Sequence, residues 1–255
     1  MLIQSLLLIF VLFSNFWIWR LLEYNALLGA LIIVTSTLLY LLLKKNSKHY
    51  LYIFLPLFIL VLFFQWQTTA KTSLSYLDKG ELGTQEMRLR QYPLVSIQIR
   101  GKTTWIPLAH WFEGRKESIT FFRIQKNFSE IIDPNLYFFA NHPRERVGIK
   151  EFEKFSYVLL PFFVIGMVSI LQRHMAKTIF FVLAIPIVLI SLIGHKNSLG
   201  PFALFPFFVV SIAQGLKLAL GKLQAISKVR TIQILLVSMF TLAIILVQLV
   251  AYVSY

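Results

Sequence analysis

Seven stretches of this chain are long and apolar enough to be read as membrane crossings, and no other feature narrows its folding options so far. A span needs about 20 apolar residues to cover roughly 30 Å of hydrocarbon, with its backbone polar groups bonded inside a helix. The runs cover residues 2–19, 26–43, 50–66, 157–171, 178–194, 201–220 and 231–252. Many of their ends carry Trp or Tyr, such as Trp17, Trp19, Tyr50, Tyr52, Trp66 and Tyr252, whose amphipathic rings favour the headgroup level. Composition agrees: 57% of residues are hydrophobic and only 14% charged, and the mean hydropathy is +0.71. A water-soluble globule of that composition would be coated in apolar surface.

Two of the runs admit another reading. The first lacks a basic stretch before its apolar residues and a small-residue cleavage pattern, so it is expected to be a retained span and not a secretory signal. The run 201–220 is the weakest, because Gly200, Pro201, Pro206 and Gly215 interrupt it and Lys217 lies inside it. A re-entrant or interfacial segment is its alternative, which would leave six spans.

Basic residues set the expected orientation, since short loops rich in Lys and Arg stay in the cytoplasm. With the N-terminus cytoplasmic, the loops on that side hold Lys44, Lys45, Lys48, Arg173, Lys177, Lys217, Lys222, Lys228 and Arg230, and the opposite short loops hold only Arg20 and Lys196. The sequence therefore predicts an α-helical multi-pass protein of the plasma membrane. It has about seven transmembrane helices, with a small α+β extracytoplasmic domain at 67–155 inserted between helices 3 and 4. Residues 1–66 form three spans and 156–255 a bundle of about four. The formal charge of +14 needs no nucleic acid partner to explain it. A polybasic loop such as Lys44 to Lys48 attracts anionic lipid by about 1 kcal/mol per basic residue.

Within the polar segment, 73–90 is broken by Gly80 and Gly83 and reads as a linker followed by a short helix ending before Pro93. Val95, Ile97 and Ile99 alternate with Ser96, Gln98 and Arg100, the period-2 pattern of a half-buried strand, and Gly101-Lys102 turns it into a second strand at 103–108. From Lys116 onward, Phe121, Ile124, Phe128 and Ile131 recur at steps of three and four. That predicts an amphipathic helix stopped by Asp133-Pro134-Asn135. Its Phe-rich face can pack on the hairpin, or lie on the membrane interface, or dock a partner.

The densest cluster of potentially functional side chains follows an aromatic stretch, Tyr137-Phe138-Phe139, and runs from Asn141 to Gly148. A helix is expected to begin near Arg144 and continue through Phe152 and Phe155 into the fourth span. Arg144 and Arg146, with Asn141 beside them, are placed to clamp a phosphate or anionic headgroup, as guanidinium forks do. Glu145 pairing with a neighbouring Arg is the plainer use of the same residues. His110, Glu113 and Glu117 share one helix face if a helix starts after Pro107. With His142 and Glu145, His110 and Glu113 are the acid/base candidates.

The chain has no Cys, hence no disulfide, thiolate metal site or Cys nucleophile. No metal site or cofactor is expected, and no nucleotide-binding or hydrolase motif is present. Ten of the eleven acids fall in 67–155 and the other, Glu23, at a span end, which argues against an ion-coupled transporter, whose bundle keeps a functional ionisable group. Three readings remain. The first is a scaffold or accessory component of cell-envelope assembly that binds another envelope protein or a lipid headgroup. The second is an envelope transferase or hydrolase acting on a lipid-linked substrate, and the third a passive channel or uncoupled permease. Because the chain is free of Cys, single Cys substitutions report topology directly. Thr84→Cys and Ser118→Cys should react with an impermeant thiol reagent on intact cells and Ser47→Cys should not; labelling of Ser47→Cys alone inverts the orientation.

Overall fold

The computed structural model describes residues 2–45, 47–71, 73–77, 79–91, 95–106, 116–139, 152–172, 176–194 and 197–224, together with Met239, Leu242, Ala243 and Leu246. It is mostly helical. Among the described residues, four helical stretches are long and apolar enough to cross a membrane: Ala26–Lys45 (α3), Lys48–Thr68 (α4), Ala176–Ile193 (α9) and Phe202–Gly221. The last comprises a 3-10 turn, Phe202–Leu204, leading into α10, Phe205–Gln224. A shorter apolar helix, α8, covers Leu160–Leu171. Nearly all of the seventh apolar run, 231–252, lies outside the described residues.

The first run is not one straight span. It divides into α1, Leu2–Phe13, and α2, Phe16–Tyr24, and the pair bends by 65°. Asn15 makes the break, being short and polar enough to serve both helix ends. Its amide donates to the carbonyls of Val11 at 2.7 Å and Leu12 at 2.8 Å, and its Oδ1 accepts the N–H of Ile18 at 2.9 Å. One buried side chain thus closes α1 and caps α2, satisfying groups that would otherwise be orphaned.

The run with the most helix breakers forms the most buried helix. Of the span-length window 202–221, 72% is buried, against 22 to 50% for the other three. α10 packs along α8, α3 and α1, and the glycines that make its sequence look weak are what let it sit there. A Cβ on Gly215 would overlap the backbone of Phe162, and one on Gly166 of α8 would overlap the carbonyl of Ser211. Small residues facing each other across a helix pair let backbones approach closely, the usual way of holding helices together where lipid removes any hydrophobic drive.

The polar segment carries α5, Lys79–Gln91, the strands β1, Val95–Ile99, and β2, Lys102–Ile106, and the helix α6, Lys116–Ile132. The strands pair antiparallel, with Val95 opposite Ile106 and Ile99 opposite Lys102. Their turn is Arg100-Gly101, one residue earlier than the sequence spacing implies. Both residues have positive φ, 49° and 77°, the sense of a type I′ turn that matches strand twist. α6 spans the predicted residues and ends where Asp133 Oδ1 accepts the N–H of Asn135 at 2.9 Å. Among the described residues its main partner is α9.

The helix expected to begin near Arg144 does not run through Phe152 and Phe155 into the fourth span; its expected start lies outside the described residues. Residues 152–156 are irregular, and helical structure begins with a 3-10 turn at Tyr157–Leu159. The cause is a competing acceptor: the N–H groups of Lys154 and Phe155 both bond to the carbonyl of Tyr137, at 3.1 and 2.8 Å, and so are withdrawn from any helical ladder.

Gly215→Leu should separate α8 from α10. Overpacking of a close-packed site costs typically about 1–3 kcal/mol, and a backbone carbonyl cannot move aside as a side chain can. Thermal unfolding in detergent should show a clear drop for Gly215→Leu and little change for Gly221→Leu, since a Cβ at Gly221 meets nothing.

Candidate functional site

The site is built around a short helix, α7, Asn135–Phe138, whose Leu136, Tyr137 and Phe138 are all buried. Tyr137 is the hub. Its hydroxyl donates to the carbonyl of Ile131 at 2.6 Å, folding the chain back onto the end of α6. Its own carbonyl receives the Lys154 and Phe155 amides. The backbone of α7 is thereby tied to the residues that lead into α8.

Beneath them lies an aromatic floor. Trp17 is fully buried, with its ring 5.3 Å from Phe205, 5.8 Å from Phe155 and 5.9 Å from Tyr137. Phe208 stacks on Phe163 at 4.5 Å and lies 4.1 Å from Tyr137. Buried indole needs a partner for its N–H, and Trp17 Nε1 donates to the carbonyl of Leu199 at 2.6 Å. That carbonyl belongs to a loop fixed in turn by α4. Gln65 Oε1 accepts the N–H of Ala203 at 3.1 Å, and Asn197 donates to Thr68 Oγ1 at 2.9 Å.

Two cations sit in this apolar setting. Lys154 is 1% exposed, and its Nζ donates to the carbonyl of Leu136 at 2.7 Å while lying 4.9 Å from the Phe152 ring and 5.8 Å from Trp17. The Arg20 guanidinium is 4.7 Å from the same Phe152 ring and 5.1 Å from Phe16. Ring faces attract cations by about 0.5–2 kcal/mol. Gly200 makes room for the lysine. It has φ of 72°, and a Cβ there would sit 2.5 Å from Lys154 Cε, so no other residue serves both needs.

No family model, no characterised protein and no solved structure matches this chain.

The geometry alone therefore carries the reading of the site. Next to Tyr137 is a cavity of about 210 Å³ walled by aliphatic and aromatic side chains, among them Ile131, Phe163, Met167, Leu183, Ile187 and Phe208. It lies between α6, α8, α9 and α10. A pocket of this lining accepts a hydrocarbon chain.

Of the residues singled out in the sequence, Asn141, His142, Arg144, Glu145 and Arg146 lie outside the described residues, as do His110 and Glu113. Glu117 is exposed in the first turn of α6. Among the described residues, no three His, Cys, Asp or Glu side chains gather closely enough to hold a metal ion. Sequence reasoning missed Lys154 and Arg20 as partners on one ring. The available signal was a Lys flanked by Phe152 and Phe155 beside a membrane span, an expensive place for a charge.

Lys154→Met keeps the stem and removes the donor to Leu136. Leaving a buried carbonyl without its partner costs about 1–3 kcal/mol, so the variant should unfold at lower temperature in detergent than the parent. An unchanged melting temperature would show that the ammonium does not hold the two segments together.

Proposed function

We propose that this chain is a plasma-membrane scaffold or accessory component of cell-envelope assembly, and that it binds an anionic lipid headgroup, or a partner presenting one, through the stretch 140–151. The proposal includes about seven spans, a cytoplasmic N-terminus and residues 67–155 on the outer side. The observation that carries it is the Tyr137 carbonyl's hold on the N–H groups of Lys154 and Phe155, beside which Arg20 and Lys154 share the Phe152 ring. Arg144 and Arg146 are the candidate headgroup ligands of the neighbouring stretch. The basic excess of the short loops on the opposite face supports the orientation.

The apolar cavity favours a second reading, an envelope transferase or hydrolase acting on a lipid-linked substrate. There the lipid chain would occupy the cavity, Arg144 and Arg146 would hold phosphate, and His142, Glu145, His110 or Glu113 would move the proton. No feature of the described residues bears on a channel.

Full-length protein in detergent, titrated with short-chain phosphatidylglycerol, tests the headgroup site. Arg144→Ala with Arg146→Ala should weaken binding about tenfold, or about 1.4 kcal/mol, with the melting temperature unchanged, because an exposed Arg contributes little to stability. Replacing both by Lys should recover only part of the loss, since the charge stays and the planar fork goes. Unchanged binding in the double Ala variant rejects the site. Full recovery with Lys reduces it to diffuse attraction.

A further inference from the structure

α6 is amphipathic inside out. Asn127 and Glu130 face the protein at 7% exposure each, whereas Phe121 is 64% exposed, Phe128 43% and Ile132 52%. In water the arrangement would be reversed, because burying each such apolar side chain stabilises by about 1.5–3 kcal/mol. The inward polar face is specific: Asn127 Nδ2 donates to the carbonyl of Ser191 in α9 at 3.0 Å.

The contacts also give the depth. Asn127 meets Ser191, and four to five residues further on, Ile131 and Ile132 share a cavity wall with Ile187 and Leu183. α6 therefore runs antiparallel to α9, entering from the Ile193 end. At a rise of 1.5 Å per residue, Ile187 and Leu183 lie about 9 and 15 Å inside that end. Half of a roughly 30 Å hydrocarbon core is about 15 Å, so the last turns of α6 reach beyond the middle of one leaflet towards the bilayer mid-plane. On α9 the flanking Val188 and Leu192 are 55% and 43% exposed and continue the same outward apolar surface.

We infer that the C-terminal half of α6 is embedded in the leaflet at the Ile193 end of α9, a half-membrane helix with lipid as the occupant of its Phe128 and Ile132 face. Phe121 lies at the headgroup boundary. The charges of its first half lie towards the rim, and Glu130 is turned into the protein. Lys116 and Glu117 open the helix, and Arg123 donates to the carbonyl of Tyr76 at 2.8 Å near the rim. Lys126, the deepest exposed charge, has a stem long enough to reach the interface. This placement holds whichever side of the membrane the polar segment occupies, and it does not depend on the headgroup site.

Spin labels on the Cys-free chain test it. Nitroxides on Phe128→Cys, Ile132→Cys and Gln98→Cys in phosphatidylcholine vesicles are compared for collision with oxygen, which partitions into lipid, and with a neutral nickel chelate, which stays in water. The oxygen-to-nickel ratio at Phe128→Cys and Ile132→Cys should exceed that at Gln98→Cys, on the exposed hairpin, several-fold. Nickel access like that of Gln98→Cys overturns the inference by placing the face in water. Shielding from both reagents overturns it by showing protein, such as a second copy, over the face. If one of the two α6 variants fails to fold, the other reads the same face.

Discussion

Close approach between α8 and α10 is the contact from which the functional end of the bundle is built. Because Gly166 and Gly215 bring two backbones together, α10 occupies the middle of the bundle and not its rim. Its first turns then place Phe205 and Phe208 where Trp17, Tyr137 and Phe155 can gather around them. Without a buried α10 there would be no aromatic floor, and the Tyr137 carbonyl would have no fixed place from which to hold residues 152–156. A close contact between two helices thus fixes where residues 152–156 are held.

What the sequence showed and what it hid follow from one physical difference. Apolar length is a property of each segment alone, so the runs 26–43, 50–66 and 178–194 were legible, as were the hairpin and the 116–132 helix from their periods. Interruptions are legible only with the partner in view. Gly215 and Pro206 read as weakness in 201–220, because nothing in one sequence shows that Phe162 and Ser211 stand opposite. Asn15 hid its role similarly, since a single Asn in an apolar run is compatible with a packed polar residue as well as a 65° break. For the candidate site, the arginines of 140–151 were visible by composition. The cations at its base were not, because Arg20 and Lys154 are 134 residues apart in sequence and meet only through Phe152.

Polar groups inside this bundle share a task. Asn15, Gln65 and Asn197 each bond backbone or hydroxyl groups at a place where a helix starts, stops or meets a loop. In hydrocarbon an unsatisfied peptide group costs several kcal/mol, so irregular backbone at membrane depth requires such side chains nearby. Lys154 belongs with them: its ammonium satisfies the Leu136 carbonyl at the end of α7.

The meaning of an amphipathic pattern depends on the solvent, and α6 shows the consequence. By period alone its Phe face is the one to bury, and a soluble domain would turn it onto the hairpin. The structure instead turns Asn127 and Glu130 inward, onto α9, and leaves phenylalanines outside. Hydrogen bonds to a neighbouring helix are the gain available to a helix in lipid, where apolar packing against protein or against acyl chains is nearly equivalent. The same preference for polar contact inside and apolar surface outside governs Ser191, Gln65 and Asn15. Residues counted as part of a polar segment therefore obey the rules of the bundle from about Asn127 onward. The boundary between segment and bundle falls inside a helix rather than at the start of the fourth span.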